Sequence, residues 1–176
     1  MIDASERPFK DNIAITSKVV KLAKEYGASV EAELGYIAKL GQNKDQCGFT
    51  SPEEAKQFVD ATGVDALAIA IGTAHGFYDK EPKLDLDRLS QISLATDVTL
   101  VLHGGSGVPH DSIRQAIDRG ICKVNLATEI KNIFMGTLKE TLAKNEEIDL
   151  RKVFPTATQQ IVHLVKDKLE VVENGK

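Results

Sequence analysis

The sequence predicts an α/β fold, a parallel sheet built from repeated strand–helix units and closed as a (β/α)8 barrel. Three observations predict it. Short apolar runs alternate with helix-period segments along the whole chain. Strictly alternating units of this kind imply parallel strands under covering helices. The runs also end, one after another, in loops rich in polar residues and glycine. An open doubly wound sheet gathers its site at one switch point, whereas a barrel builds its site from the C-terminal ends of several strands.

The elements follow in order. Met1-Ile2-Asp3 reads as the tail of a buried strand with an acid at its C-terminal end. A helix follows, with Asp11 or Asn12 as its cap, Ile13, Thr16, Val20, Ala23 and Tyr26 at helical spacing, and Gly27 as its stop. The next strand covers Ser29 to Leu34, where alternation sets Glu31 and Glu33 on one face. Ser51 caps a helix with Pro52 in its first position, and that helix stops at Gly63. Ala66 to Ile71 is a continuous apolar strand, as expected when both faces are covered. A loop over Gly72 to Lys83 leads to a helix from Asp85 to Ala95 and a strand from Thr99 to His103. A helix starting at Pro109 closes at Gly120. It is followed by the strand Ile121 to Asn125, a helix from Thr128 to about Asn145, and a last amphipathic helix from Thr156 to Glu173.

That makes five strand–helix units and an extra helix. Five units do not close a barrel of eight. The expectation is an incomplete barrel, with residues 1–176 forming a single domain that supplies its C-terminal portion and lacks the beginning.

Composition narrows the function. A hydrophobic share of 42% and a charged share of 27% suit a globular domain, and the net charge of -4 comes without a basic stripe, which argues against nucleic acid. No run approaches the roughly 18 apolar residues of a membrane span. Asp3 and Glu6 break any signal-peptide pattern. Cys47 and Cys122 have no CxxC partner, so a reduced, cytoplasmic setting is expected, with Cys122 in the core.

The chemistry sits at the strand ends, where Asp3, Glu33, His75, His103 and Asn125 fall in succession. His75 and His103 follow consecutive strands, each beside glycines. Neighbouring strands lie about 4.8 Å apart, so two such imidazoles can share one metal ion at about 2.0–2.1 Å. Glu33 is an extra ligand or a group behind one. Gly104-Gly105-Ser106-Gly107 exposes backbone N–H groups one strand before Asn125-Leu126-Ala127-Thr128, which opens a helix. A helix N-terminus in the last loops of a barrel is a phosphate site. His110 reads as a surface residue, and His163, inside the last helix, as a solvated or packed one.

These motifs together resemble the class II, zinc-dependent ketose-bisphosphate aldolases, TIM-barrel enzymes of the tagatose- and fructose-bisphosphate type. The carriers are Met1-Ile2-Asp3-Ala4-Ser5, Val30-Glu31-Ala32-Glu33-Leu34-Gly35, Ile71-Gly72-Thr73-Ala74-His75-Gly76, Leu102-His103-Gly104-Gly105-Ser106-Gly107 and Lys123-Val124-Asn125-Leu126-Ala127-Thr128-Glu129. The resemblance covers essentially the whole chain, and its Asn-Leu-Ala-Thr variant looks closer to the tagatose branch.

The resemblance implies roles. His75 and His103 match two of three zinc ligands, and Glu33 matches an acid near alternate metal positions. Gly76, Gly104, Gly105, Ser106, Asn125, Leu126, Ala127 and Thr128 match the residues that hold dihydroxyacetone phosphate, with Asn125 positioning the substrate. The implied reaction is reversible cleavage of a ketose 1,6-bisphosphate to dihydroxyacetone phosphate and glyceraldehyde 3-phosphate, within carbohydrate metabolism and glycolysis, by a homodimer or homotetramer. The family's third zinc histidine and adjacent catalytic aspartate would precede Met1, so this chain alone is expected to turn over little. The family's Gly-Gly-x-Glu-Asp loop is replaced over 36–45, where Asp45 is the nearest carboxylate. Two other readings stay open: a phosphosugar-binding module without catalysis, and an aldolase acting on another carbonyl compound.

Overall fold

A computed structural model describes residues 1–35, 48–76, 78 and 80–173. The altered segment 36–45 and Cys47 lie outside the described residues. Strands and helices alternate as α1 (Phe9–Glu25), β1 (Glu31–Leu34), α2 (Pro52–Thr62), β2 (Ala66–Ile69), α3 (Leu86–Ala95), β3 (Thr99–Leu102), α4 (His110–Ile117), β4 (Ile121–Val124), α5 (Thr128–Leu142) and α6 (Leu150–Glu173). The four strands are parallel and lie in the order β1-β2-β3-β4, each beside its sequence neighbour. That sequential parallel order fits a TIM-barrel type of fold.

The two faces of the sheet differ because β2 alternates small and large. Leu67 and Ile69 point to the helices, where they pack with Phe58 of α2, Leu89 and Ile92 of α3, and Leu100 and Leu102 of β3 in one buried cluster. Each such side chain, taken from water, contributes about 1.5–3 kcal/mol. Alanine occupies the opposite face of β2 at positions 66 and 68. Glu33, Ala68, Val101 and Lys123 form one row across that face.

Several boundaries depart from the sequence expectation, each for a visible reason. The first strand reduces to a single bridge, Ile2 to Ala32. Asp3 accepts the Ser5 N–H at 3.1 Å, and this turn sends the chain into α1. Neither Asp11 nor Asn12 caps α1, which begins after Pro8. Asn12 is buried instead and donates to the Glu33 carbonyl at 3.0 Å, pinning α1 to the end of β1. Helix α6 starts at Leu150, six residues earlier than the expected Thr156. Pro155 lacks the N–H that a helix interior uses, but Asp149 takes the Arg151 N–H at 3.0 Å and starts the helix upstream of it. Cys122 is exposed rather than buried. The β3–β4 register jumps from Leu100↔Ile121 to Val101↔Lys123, so Cys122 is the extra residue of a bulge.

Helix α3 starts as the sequence predicts. Asp85 accepts the Arg88 N–H at 3.0 Å and the Arg88 Nε at 2.9 Å. Arg88 in turn reaches the Thr50 carbonyl at 3.2 Å. The backbone N–H of Arg88, more than its guanidinium, holds the Asp85 carboxyl below its usual range. A depressed carboxyl stabilises the fold above its unfolded pKa and loses that contribution as pH falls through the folded value. Asp85→Ala is expected to cost about 1 kcal/mol at neutral pH. In urea titrations, the gap between wild type and Asp85→Asn should close as pH drops below about 4. A gap that persists at lower pH would contradict this role.

Candidate metal and phosphate site

Strand ends and the loops behind them bring the predicted residues together. A cleft of about 470 Å³ is lined by Met1, Asp3, Glu33, His75, Gly76, His103, Gly104, Ser106, Asn125, Ala127 and Thr128. Gly105 and Leu126 are the two predicted residues outside that lining. Gly105 gives its N–H to the Asn125 carbonyl at 3.0 Å, and a Cβ there would stand 2.7 Å from Val124. Close packing of β3 onto β4 is what requires glycine at that point. Leu126 lines a second, apolar groove of about 590 Å³ between β4 and helices α4 to α6. The lining of that groove is mainly apolar and also includes Lys123 and Lys168.

His103 is the centre of the polar network. Its Nδ1 lies 2.8 Å from Glu33 Oε2 and its Nε2 lies 2.9 Å from Glu31 Oε1. Reaching Glu33 means crossing β2, and Ala68 leaves the room. Burial opposes a charge on His103, yet the two carboxylates outweigh it and raise its pKa above the ordinary value. Burial likewise opposes the charge on Glu31. The Lys123 ammonium and His103 win, and the Glu31 carboxyl is held below its usual range. Lys123 bonds Glu31 from β4, so the network crosses the whole sheet.

His75 completes the group. Its ring centroid lies 6.1 Å from that of His103. One donor atom each from Glu33, His75 and His103 lie within 4.8 Å of one another. Two imidazoles and a carboxylate are the donor set of a borderline cation such as zinc, with a coordination position left for a reactant. The excess of carboxylates over cations here favours a bound metal ion on charge grounds as well. The residues therefore fit a divalent metal.

Two loops carry the histidines, and Tyr78 ties them. Its hydroxyl accepts the Ala74 N–H at 2.8 Å and lies 2.8 Å from the Gly104 carbonyl. Gly104 adopts a φ of 68°, and a Cβ there would stand 2.5 Å from the Ala74 carbonyl oxygen. A side chain at Gly104 would push the two histidine loops apart.

The first turn of α5 faces the same cleft. Its N-cap, Ala127, has no side chain to satisfy the helix N–H groups. Ser106 does so from the neighbouring loop, accepting from Ala127 at 3.2 Å and from Glu129 at 3.3 Å. Asn125 is tied to the end of β3 by two main-chain bonds, its N–H to the Leu102 carbonyl at 2.9 Å and its carbonyl to the Gly105 N–H at 3.0 Å. A helix N-terminus with its positive dipole end is a ready anion site. The Glu33–His75–His103 group and the start of α5 thus line one cleft.

Residues 1–176 match the family model of class-II fructose-bisphosphate aldolase. The chain belongs to this family. It is 48% identical over 151 residues to the D-tagatose-1,6-bisphosphate aldolase subunit GatY of Klebsiella oxytoca, an alignment covering 84% of this chain and 53% of that protein. The YdjI aldolase of Escherichia coli K12 superposes with a TM-score of 0.77 at 36% identity, over 93% of this chain and 58% of that one. A proposed fructose-1,6-bisphosphate aldolase from Coccidioides immitis gives a TM-score of 0.87 at 29% identity, over 98% of this chain and 62% of that one. The chain thus spans somewhat more than half the length of these relatives.

Sequence reasoning missed Glu31, Lys123 and Tyr78. Alternation had put Glu31 beside Glu33, and that was the available signal. Lys123 depends on the bulge, and Tyr78 on a long-range contact to Gly104, so neither had a local signature. His110 is exposed, as expected, and His163 takes the solvated of its two expected roles.

The alanine face of β2 yields a test. Ala68→Leu should overpack the row between Glu33 and Val101, costing about 1–3 kcal/mol. It should also separate Glu33 from His103 and so weaken divalent-metal binding, read with zinc in calorimetry. A leucine variant that still binds zinc like wild type would contradict the packing account.

Proposed function

We propose that this chain supplies the metal- and phosphate-binding portion of a zinc-dependent aldolase that reversibly cleaves a ketose 1,6-bisphosphate. The products are dihydroxyacetone phosphate and glyceraldehyde 3-phosphate. One observation carries the reading: a Glu33–His75–His103 group and the N-terminus of α5 open into the same cleft. The relation to the GatY subunit supports tagatose 1,6-bisphosphate as the substrate. The coverage of 53–62% of the relatives supports a (β/α)8 barrel of which residues 1–176 form one part.

Each residue has a task in this reading. His75, His103 and Glu33 would hold the zinc ion. When bound, the ion supplies Lewis-acid polarisation of the substrate carbonyl. The positive dipole end of α5 and the Ser106 hydroxyl bind the phosphate, with Gly76 and Gly104 lining the cleft beside them. Asn125, held at the end of β4 by its main-chain bonds to the β3 side, positions the carbon chain between metal and phosphate. Tyr78 keeps the histidine loops in register.

The setting follows from smaller observations. Among the described residues no helix is long and apolar enough to cross a membrane, and the cysteine usage supports a cytoplasmic enzyme. Leu142, Phe154 and Leu169 of α5 and α6 are exposed, which supports a homodimer or homotetramer.

The test is dihydroxyacetone phosphate binding and triose-phosphate release by the zinc-loaded protein. Binding should weaken at least about tenfold on His75→Ala, and any turnover should stop with EDTA. Turnover indifferent to EDTA would contradict the reading. Phosphate-ester binding that survives both His75→Ala and His103→Ala would mark a non-catalytic phosphosugar module instead.

A further inference from the structure

We propose that Glu31, anchored by Lys123, is a positioning residue that fixes the ring of His103 so that Nδ1 is the nitrogen offered to the metal ion. This rests on the metal site proposed above and adds a constraint that the three ligands do not contain.

The two carboxylates that bracket His103 are not equivalent. Glu33, on Nδ1, lies in the group with His75 and lines the cleft. Glu31, on Nε2, belongs to neither. The side of the ring that faces His75 is therefore the Nδ1 side. With Nε2–H donating to Glu31 Oε1 at 2.9 Å, the Nδ1 lone pair points to the cleft. A carboxylate behind a ligating histidine sets its tautomer and orientation in this way.

Glu31 is itself held. Its second oxygen bonds the Lys123 ammonium, so both oxygens have partners and the carboxylate cannot rotate freely. The Glu31 side chain is 11% exposed, and Lys123, at 49%, covers it from the rim of β4. The Cys122 bulge is what brings Lys123 there. Without the extra residue Val101 would face Cys122, and a one-residue slip turns every following side chain to the opposite face. Bulge, lysine, glutamate and histidine thus form one chain of support that ends at the metal position.

Two measurements test this. The first is a long-range ¹H–¹⁵N spectrum of the zinc-loaded wild-type protein labelled at histidine. The expected result is His103 with a protonated Nε2 and a zinc-bound Nδ1. A zinc-bound Nε2 would overturn the proposal, and no substitution needs to fold for that result. The second is titration with cobalt(II), read from its visible spectrum. Glu31→Gln should lower cobalt affinity by about ten- to a hundredfold, and Lys123→Met should lower it by less, both with thermal midpoints near wild type. Affinity unchanged in Glu31→Gln, with His75→Ala abolishing binding, would overturn the role of Glu31 alone. Wild-type protein that takes no cobalt, or takes it equally well after His75→Ala, would overturn the metal site and this inference together.

Discussion

Everything in the cleft depends on one contact that has to cross a strand. Glu33 stands on β1 and His103 at the end of β3, yet their polar atoms meet at 2.8 Å over β2. Strands in a sheet are about 4.8 Å apart, so two intervals separate the partners. The contact exists because β2 presents only alanine at 66 and 68 on that face. The same strand turns Leu67 and Ile69 to the helices and anchors the core there. One alternation of small and large residues thus builds both the hydrophobic support and the polar site.

The second requirement is a rigid frame for loops that carry the ligands. His75 lies six residues past the end of β2, so the strand alone does not place it. Tyr78 and the close approach of Gly104 to Ala74 lock that loop to the loop of His103. On the far side, Ser106 binds the start of α5, and Asn125 is bonded to the end of β3 and the loop after it. The frame joins the Tyr78 and Ser106 hydroxyls to main-chain groups of neighbouring loops, which fixes the loops that carry the cleft residues.

Much of this was legible in the sequence, and the reasons are local. Ser51-Pro52, Asp85 and the apolar runs act within a few residues, and α2, α3 and the four strands appear where those signals put them. The strand-end histidines and the nearness of the Ser106 loop to the start of α5 were visible because parallel strands gather their ends on one side. Non-local facts were not visible. Asn12 looked like a cap, but it is a buried tie to Glu33. Cys122 looked like core until the bulge turned it out. The ion pair of Glu31 with Lys123 joins residues 92 apart in the chain, and no spacing rule reports it.

The central claim is that Glu33, His75 and His103 form a single metal position. Anomalous diffraction at the zinc edge, from crystals grown with zinc, tests it most directly. The account predicts one strong peak within about 2.0–2.2 Å of Nδ1 of His103, a ring nitrogen of His75 and a carboxylate oxygen of Glu33. A zinc-loaded crystal with no peak among these three side chains, or with its zinc elsewhere on the chain, would contradict it.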